Sequence, residues 1–372
     1  MIFYDPWKKQ EYPIDIDLPS GSGAGLIAAP LFIDLHTHVR YPIFEGYDTL
    51  WKACTKGGFG ICTIQPNTRP RLDRASTLAI HMNASQNLPT TFLLTSSLFG
   101  EDTSLSIAYS TDGIKYTTSQ LWYHLKIHTP KLLMDHSQIY EIEGMFYPNA
   151  PYPSIRPMNS EAIAVFRTVS LAVEAGWHKI HIQHVSSPYT VNTISYLRDY
   201  ADITCEITPH HLLIPSEDIS SVDMKINPPL VPDRDRRKLV EMTKKGLIDA
   251  LATDHAPHPR KPENYQLAPY GSSHVEIAFS AFYTALENLH LVIDKLTIRP
   301  AQILGIDIPP IPDNLVIIDP NTTFTVDREK FVSLGKNTAF HGKRLKGKIQ
   351  GVKIEGQWIY WDGQFMEVSQ HL

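Results

Sequence analysis

Two imidazoles one residue apart, His36-Thr37-His38, close a short apolar run. Side chains two apart on an extended strand point to the same face, so both rings can reach one ion. Metal-competent residues end four more such runs: Asp112 in Ser110-Thr111-Asp112-Gly113, His136 in Met134-Asp135-His136, His184 in Gln183-His184-Val185-Ser186, and Asp254 in Thr253-Asp254-His255-Ala256-Pro257-His258. Singly, each has a plainer explanation. His36 and His38 can be solvated turn histidines, Asp112 before Gly113 an ordinary turn residue, and His181, inside its run, a satisfied core histidine. Together, four histidines and two carboxylates form the nitrogen and oxygen donor set of a divalent, zinc-like site. Beside them Arg40 carries a planar cation suited to a carboxylate, although a surface ion pair would use the same residue.

The elements that must position these residues are legible as eight apolar runs, at 31–35, 60–64, 91–94, 106–109, 131–134, 179–183, 202–207 and 248–252. Segments of helical pattern at 47–56, 76–85, 160–175, 189–200 and 233–245 alternate with them, as parallel β-structure requires. Eight such units predict a closed (β/α)₈ barrel, which takes roughly 250 residues, with its active site at the carboxyl ends of the strands. A helix at 275–289 precedes a boundary marked by Pro309, Pro310 and Pro312. Runs at 315–318, 323–326, 348–355 and 357–361 then read as strands of a small β-module. The expected division is an N-terminal segment at 1–30 contributing to that module, the barrel at 31–308, and the rest of the module at 309–372.

Of the 372 residues, 42% are hydrophobic and 20% charged, the balance of a soluble globular enzyme. A net charge of −5 without a sustained Lys/Arg run gives no footprint for nucleic acid or anionic lipid. No apolar run approaches the roughly 20 residues that cross a bilayer. The first residues lack the basic, apolar and cleavage regions of a signal peptide. Cys54, Cys62 and Cys205 form neither a CxxC pair nor an even framework, so a cytoplasmic location is expected.

In order and spacing, the donor set resembles the amidohydrolase superfamily. His36-Thr37-His38-Val39-Arg40, Pro66-Asn67-Thr68, Thr208-Pro209-His210-His211, Ile226-Asn227-Pro228-Pro229-Leu230, Asp254-His255-Ala256-Pro257-His258 and Ala268-Pro269-Tyr270-Gly271 look like dihydroorotase-family motifs in the family's order. The tail from Lys336-Asn337-Thr338 to Gly347-Lys348 is similar too. The resemblance implies a metal-dependent barrel with a small β-sandwich appendage reduced at its N-terminus. It implies His36, His38 and Asp254 on one metal, His136 and His184 on a second, and Asp112 between them, for one or two zinc or similar divalent ions. It further implies that Arg40, Asn67 and His258 grip the substrate carboxylate and ring, and that Asn227 and the backbone at Pro269, Tyr270 and Gly271 complete the pocket. His210 and His211 are expected behind the ligands, with simple loop residues as the alternative.

The activity implied is reversible hydrolysis of the cyclic amide of dihydroorotate to N-carbamoyl-L-aspartate in de novo pyrimidine biosynthesis, with Asp254 as proton shuttle. The implied partners are the small-molecule substrate, a second copy in a homodimer, and aspartate transcarbamoylase. Two alternatives stand beside this reading. A catalytically silent structural partner of the transcarbamoylase would have lost its ligands. An allantoinase or dihydropyrimidinase commonly carries a carboxylated lysine as the bridge, and the nearest lysines, Lys115 and Lys126, do not end a strand. The chain departs from the family pattern at Thr111 and at Ser137-Gln138, where acidic residues are common, and at Tyr41-Pro42-Ile43 after the arginine.

Overall fold

The computed structural model describes residues 1–142 and 156–367. Eight parallel strands follow one another in chain order around a nearly closed barrel. They are Phe32–Thr37, Phe59–Ile64, Thr91–Ser97, Ala108–Ser110, Leu133–Asp135, Lys179–Ile182, Asp202–Ile207 and Ala250–Leu251. Each of the eight apolar runs becomes a barrel strand. The reason is burial on both faces: Phe32–Thr37 and Phe59–Ile64 are buried at every position, as parallel strands beneath helices must be. Ile33, Leu35, Ile61, Met134 and Ala250 belong to one core cluster, while Phe32, Phe59, Cys62 and Ile64 belong to the larger cluster that includes the surrounding helices.

The seam between first and eighth strands is made at their carboxyl ends. Thr37 bridges His255, His38 N donates to His255 O at 2.9 Å, and the Asp34 carboxylate accepts Thr253 N at 2.8 Å and Thr253 Oγ1 at 2.5 Å. Closure therefore occurs where the candidate ligands stand.

Helices form at Tyr47–Lys56, Ala75–Ser85, Ser160–Glu174, Pro188–Leu197 and Asp233–Lys244, close to the bounds read from pattern. Pro188 takes the first helical turn with Ser187 Oγ capping Tyr189 N at 3.2 Å. A helix at Thr118–Ile127 was not anticipated, although Thr117 and Gln120 form a reciprocal capping box at its start. The 275–289 segment divides into a 3₁₀ turn, Val275–Ile277, and a helix, Ala278–Leu286, that ends at Glu287 with φ 52°.

Residues near the two ends of the sequence build one seven-stranded mixed sheet. Ile2–Asp5, Gln10–Pro13 and Ile27–Ala29 join Leu315–Thr325, Arg344–Ile354, Gln357–Trp361 and Gln364–Phe365. The runs at 315–318 and 323–326 are a single strand whose register shifts between Asp319 and Thr323. Val316, Ile349 and Val352 share a core cluster with Phe32 and Phe279, which seats the sheet against the barrel. After Leu315–Thr325 the chain reaches the barrel mouth, where Asn337 Nδ2 donates to Ala256 O at 3.0 Å and Gly271 O at 3.2 Å. No helix among the described residues is long and apolar enough to cross a membrane.

Candidate metal centre and substrate pocket

His36 and His38 leave the first strand with their rings already oriented. His36 Nδ1 lies 2.8 Å from Glu206 Oε1, and His38 Nδ1 lies 2.7 Å from Asn67 Oδ1. Both partners are acceptors, so each Nδ1 carries the proton and each Nε2 offers a lone pair. The Asp254 Oδ1 atom is 3.0 Å from His38 Nε2 and 3.5 Å from His36 Nε2. One ligand atom from each of the three residues falls within 4.8 Å of the others, and all three are buried. His36 Nε2 has no hydrogen-bond partner among the described residues. A buried nitrogen left unpartnered beside a carboxylate is a donor set that a divalent cation fits.

His136 and His184 form a second pair, with His184 Nε2 2.8 Å from His136 Nδ1. Asp112 stands between the pairs. Its Oδ2 is 3.7 Å from His38 Nε2 and 3.9 Å from His36 Nε2, and its Oδ1 is 3.6 Å from His136 Nδ1. Gly113, at φ 79°, permits this approach, because a Cβ there would lie 2.2 Å from Asn67 Cβ. The backbone at His184 (φ 34°) and Asp254 (φ 49°) is left-handed without glycine, a strained conformation that clusters at functional sites.

The electrostatics favour a cation. Burial works to lower the His36 pKa, yet Asp254, Asp112 and Glu206 outweigh it and push it well above the ordinary value. That pull comes from the carboxylates gathered around the ring, whose negative charge a cation would offset. Burial lowers His136 and takes His184 well below the ordinary range, which favours the neutral ring that a metal needs.

A layer of buried carboxylates behind the ligands escaped the sequence reading. Glu206 accepts from His36, from His181 Nε2 at 3.0 Å and from His184 N at 3.3 Å. Burial would raise its pKa, but the hydrogen bonds from His181 and His36 hold it down to about 2. His181, whose Nδ1 meets Thr204 Oγ1 at 2.8 Å, is a core histidine that helps fix Glu206. Asp34 accepts from Thr37 Oγ1, His36 N and Thr253 and ties the two ligand-bearing strands together. The departures from the family pattern have partners here. Thr111 Oγ1 donates to Asp135 at 2.9 Å and accepts His136 N at 2.8 Å, and Ser137 donates to Asp135. Glu206→Gln keeps the volume but removes one strong acceptor, and we expect metal affinity to fall by about 10–100-fold. Chelator competition on the purified protein measures this; unchanged affinity would remove Glu206 from the support of His36.

The residues expected to bind substrate surround the same mouth. Arg40 Nε donates to Pro257 O at 3.2 Å, and its Nη1 lies 3.3 Å from Asn67 Oδ1. Its second terminal nitrogen has no hydrogen-bond partner among the described residues, and burial lowers its pKa against the opposing pull of Asp112, Asp254 and Glu45. Asn67 thus serves His38, Arg40 and Asp112, whose Oδ2 accepts from Nδ2 at 3.3 Å. Asn227 Nδ2 sits 3.2 Å from His136 Nε2 and 3.1 Å from Gln138 Oε1. His258 Nε2 donates to Tyr270 O at 2.8 Å, leaving Nδ1 as its remaining acceptor. Burial and the Arg40 charge lower the His258 pKa to about 3. Gly271, at φ 120°, is pressed against Ala256, where a Cβ would lie 2.6 Å from the alanine Cβ; Pro269 stands beside it, half-buried. His211 spans Thr208 Oγ1 and Pro228 O and so holds the Asn227 loop, whereas His210 is fully buried with neither ring nitrogen hydrogen-bonded among the described residues.

A scan of protein-family models gives no match. The chain is 46% identical over 368 residues to a Thermotoga maritima protein provisionally named dihydroorotase, covering 98% of each. It is 32% identical to a dihydroorotase of Caldanaerobacter subterraneus, covering 90% of this chain and 86% of that one. It is 30% identical to a dihydroorotase of Bacillus subtilis, covering 92% and 89%. Among solved structures, an L-hydantoinase (dihydropyrimidinase) of Arthrobacter aurescens superposes with a TM-score of 0.81 at 20% identity, over 93% of this chain and 88% of that one. The last likeness is one of fold.

Proposed function

The chain belongs to the dihydroorotase family, and on that premise we propose that it interconverts dihydroorotate and N-carbamoyl-L-aspartate in pyrimidine biosynthesis. The observation that carries this reading is the adjacency of the His36, His38 and Asp254 cluster to Arg40 and Asn67 at one barrel mouth. His36, His38 and Asp254 would hold one divalent ion of the zinc type, His136 and His184 a second, with Asp112 shared. Such ions supply a Lewis acid for the amide carbonyl and acidify bound water. Asp254 takes the proton of the attacking water and returns it to the leaving ring nitrogen, so the same carboxylate begins protonated in ring closure. Arg40, with Asn67 beside it, receives the substrate carboxylate through paired hydrogen bonds. Asn227, His258 and the Pro269-Tyr270-Gly271 backbone close around the ring.

The test is a choice of substrate. Arg40→Met should lower turnover of dihydroorotate by roughly 10²-fold, the cost of leaving a buried charge without its partner. Dihydrouracil lacks the carboxylate and should lose far less. Arg40 also supports Asn67, so bound metal is measured in the same sample. Equal losses on both substrates, or none on either, would count against the proposed activity.

A further inference from the structure

Arg156 stands just before the Ser160–Glu174 helix, 6% exposed, and its Nη1 lies 2.6 Å from Asn227 Oδ1. It lines a cavity of about 200 Å³ whose walls include Pro157, Met158, Pro228 and Leu230, so its polar contacts form in apolar surroundings and are strengthened by them. A guanidinium offers only donors, so the Asn227 atom that faces it must be the carbonyl oxygen. The amide nitrogen is thereby turned the other way, toward His136 Nε2 and Gln138 Oε1 at the candidate centre.

We infer that Arg156 is a positioning residue that fixes the Asn227 amide, its oxygen toward the guanidinium and its nitrogen toward Gln138 at the candidate centre, so that the Asn227 loop is held in the orientation that receives dihydroorotate. The inference rests on the activity proposed above. It gives Arg156 a role distinct from that of Arg40: it touches no substrate atom and acts through Asn227. Without it the amide is free to turn over, placing its oxygen against Gln138 Oε1, an acceptor against an acceptor. Glu161, buried nearby and lining the same cavity, carries a charge that favours the guanidinium, while its own carboxylate accepts Ser186 N, Ser186 Oγ and Thr190 Oγ1.

A double-mutant cycle on the metal-loaded protein separates positioning from direct binding. Arg156→Met is expected to raise KM for dihydroorotate about tenfold with kcat changed by less than about threefold, as loss of one charge-assisted hydrogen bond would give. Arg156→Lys, which can still donate to Asn227 Oδ1, should recover part of that loss. In the Asn227→Ala background Arg156→Met should have no further effect. Multiplying losses in the double variant would overturn the inference, as would a fall confined to kcat. Metal content and thermal midpoint are followed for every variant; if Arg156→Met does not fold, Arg156→Lys carries the same cycle with a smaller expected change. A wild-type protein inactive on dihydroorotate would sink the parent reading and this one together, whereas an active wild type with independent losses sinks this one alone.

Discussion

Asp254→Asn is expected to slow ring opening and ring closure by about 10²–10⁴-fold, the range typical for deleting a general acid–base. The substitution suits the backbone, since Asp254 holds φ 49° and asparagine tolerates the left-handed region better than most residues. Volume is conserved, so the packing of a residue only 6% exposed is preserved. What changes is the Oδ1 position 3.0 Å from His38 Nε2, where the variant has either a neutral oxygen or an amide nitrogen. Asp254 is also a proposed ligand, so metal content is determined alongside both rates. Near-normal rates with metal retained would end the proton-shuttle assignment.

Replacing His36 and His38 together by alanine is expected to remove most bound metal and, with it, activity. The two positions are not equivalent in what else they disturb. Losing His36 leaves the Glu206 carboxylate, fully buried, with one fewer donor, and stripping a buried charge of a partner costs on the order of several kcal/mol. Losing His38 frees Asn67, which keeps contacts with Arg40 and Asp112, and removes the imidazole beside Asp254, a contact that His36 also makes. His38→Ala is therefore the cleaner variant for affinity, and the double variant the stronger one for content. Elemental analysis of each, with thermal unfolding to register the Glu206 penalty, checks both expectations. Full metal content in the double variant would rule the site out.

The barrel was readable because its strands are buried on both faces and so appear as unbroken apolar runs, with the donor residues standing where those runs stop. Other parts were hidden for physical reasons. Gln10–Pro13 is exposed at all four positions, so its Gln-Glu-Tyr-Pro carries no period that marks it as a strand. The Thr118–Ile127 helix did leave a signal, Thr117 followed three residues later by Gln120, that the hydrophobic pattern alone does not weigh. Glu206, Asp34 and Glu45 could not be assigned from local pattern, because their partners are far away in the chain: His36 is 170 residues from Glu206, Thr253 is 219 from Asp34, and Ser333 is 288 from Glu45. A carboxylate inside an otherwise apolar strand, as in Asp202–Ile207, is the one local hint that such a residue has a distant partner.

The mixed sheet has a consequence for biosynthesis. Ile27, Ala28 and Ala29 pair with Ile318, Ile317 and Val316, so these early residues wait for partners nearly three hundred positions downstream. At a translation speed of about 5–20 residues per second, that wait is roughly 15–60 s on the ribosome. During it, Phe3, Ala28 and Ala29, all buried in the finished molecule, lack the partners that cover them and present a nascent edge. The early strands are thus clients for whatever protects emerging polypeptides, and the sheet is completed only as synthesis nears its end.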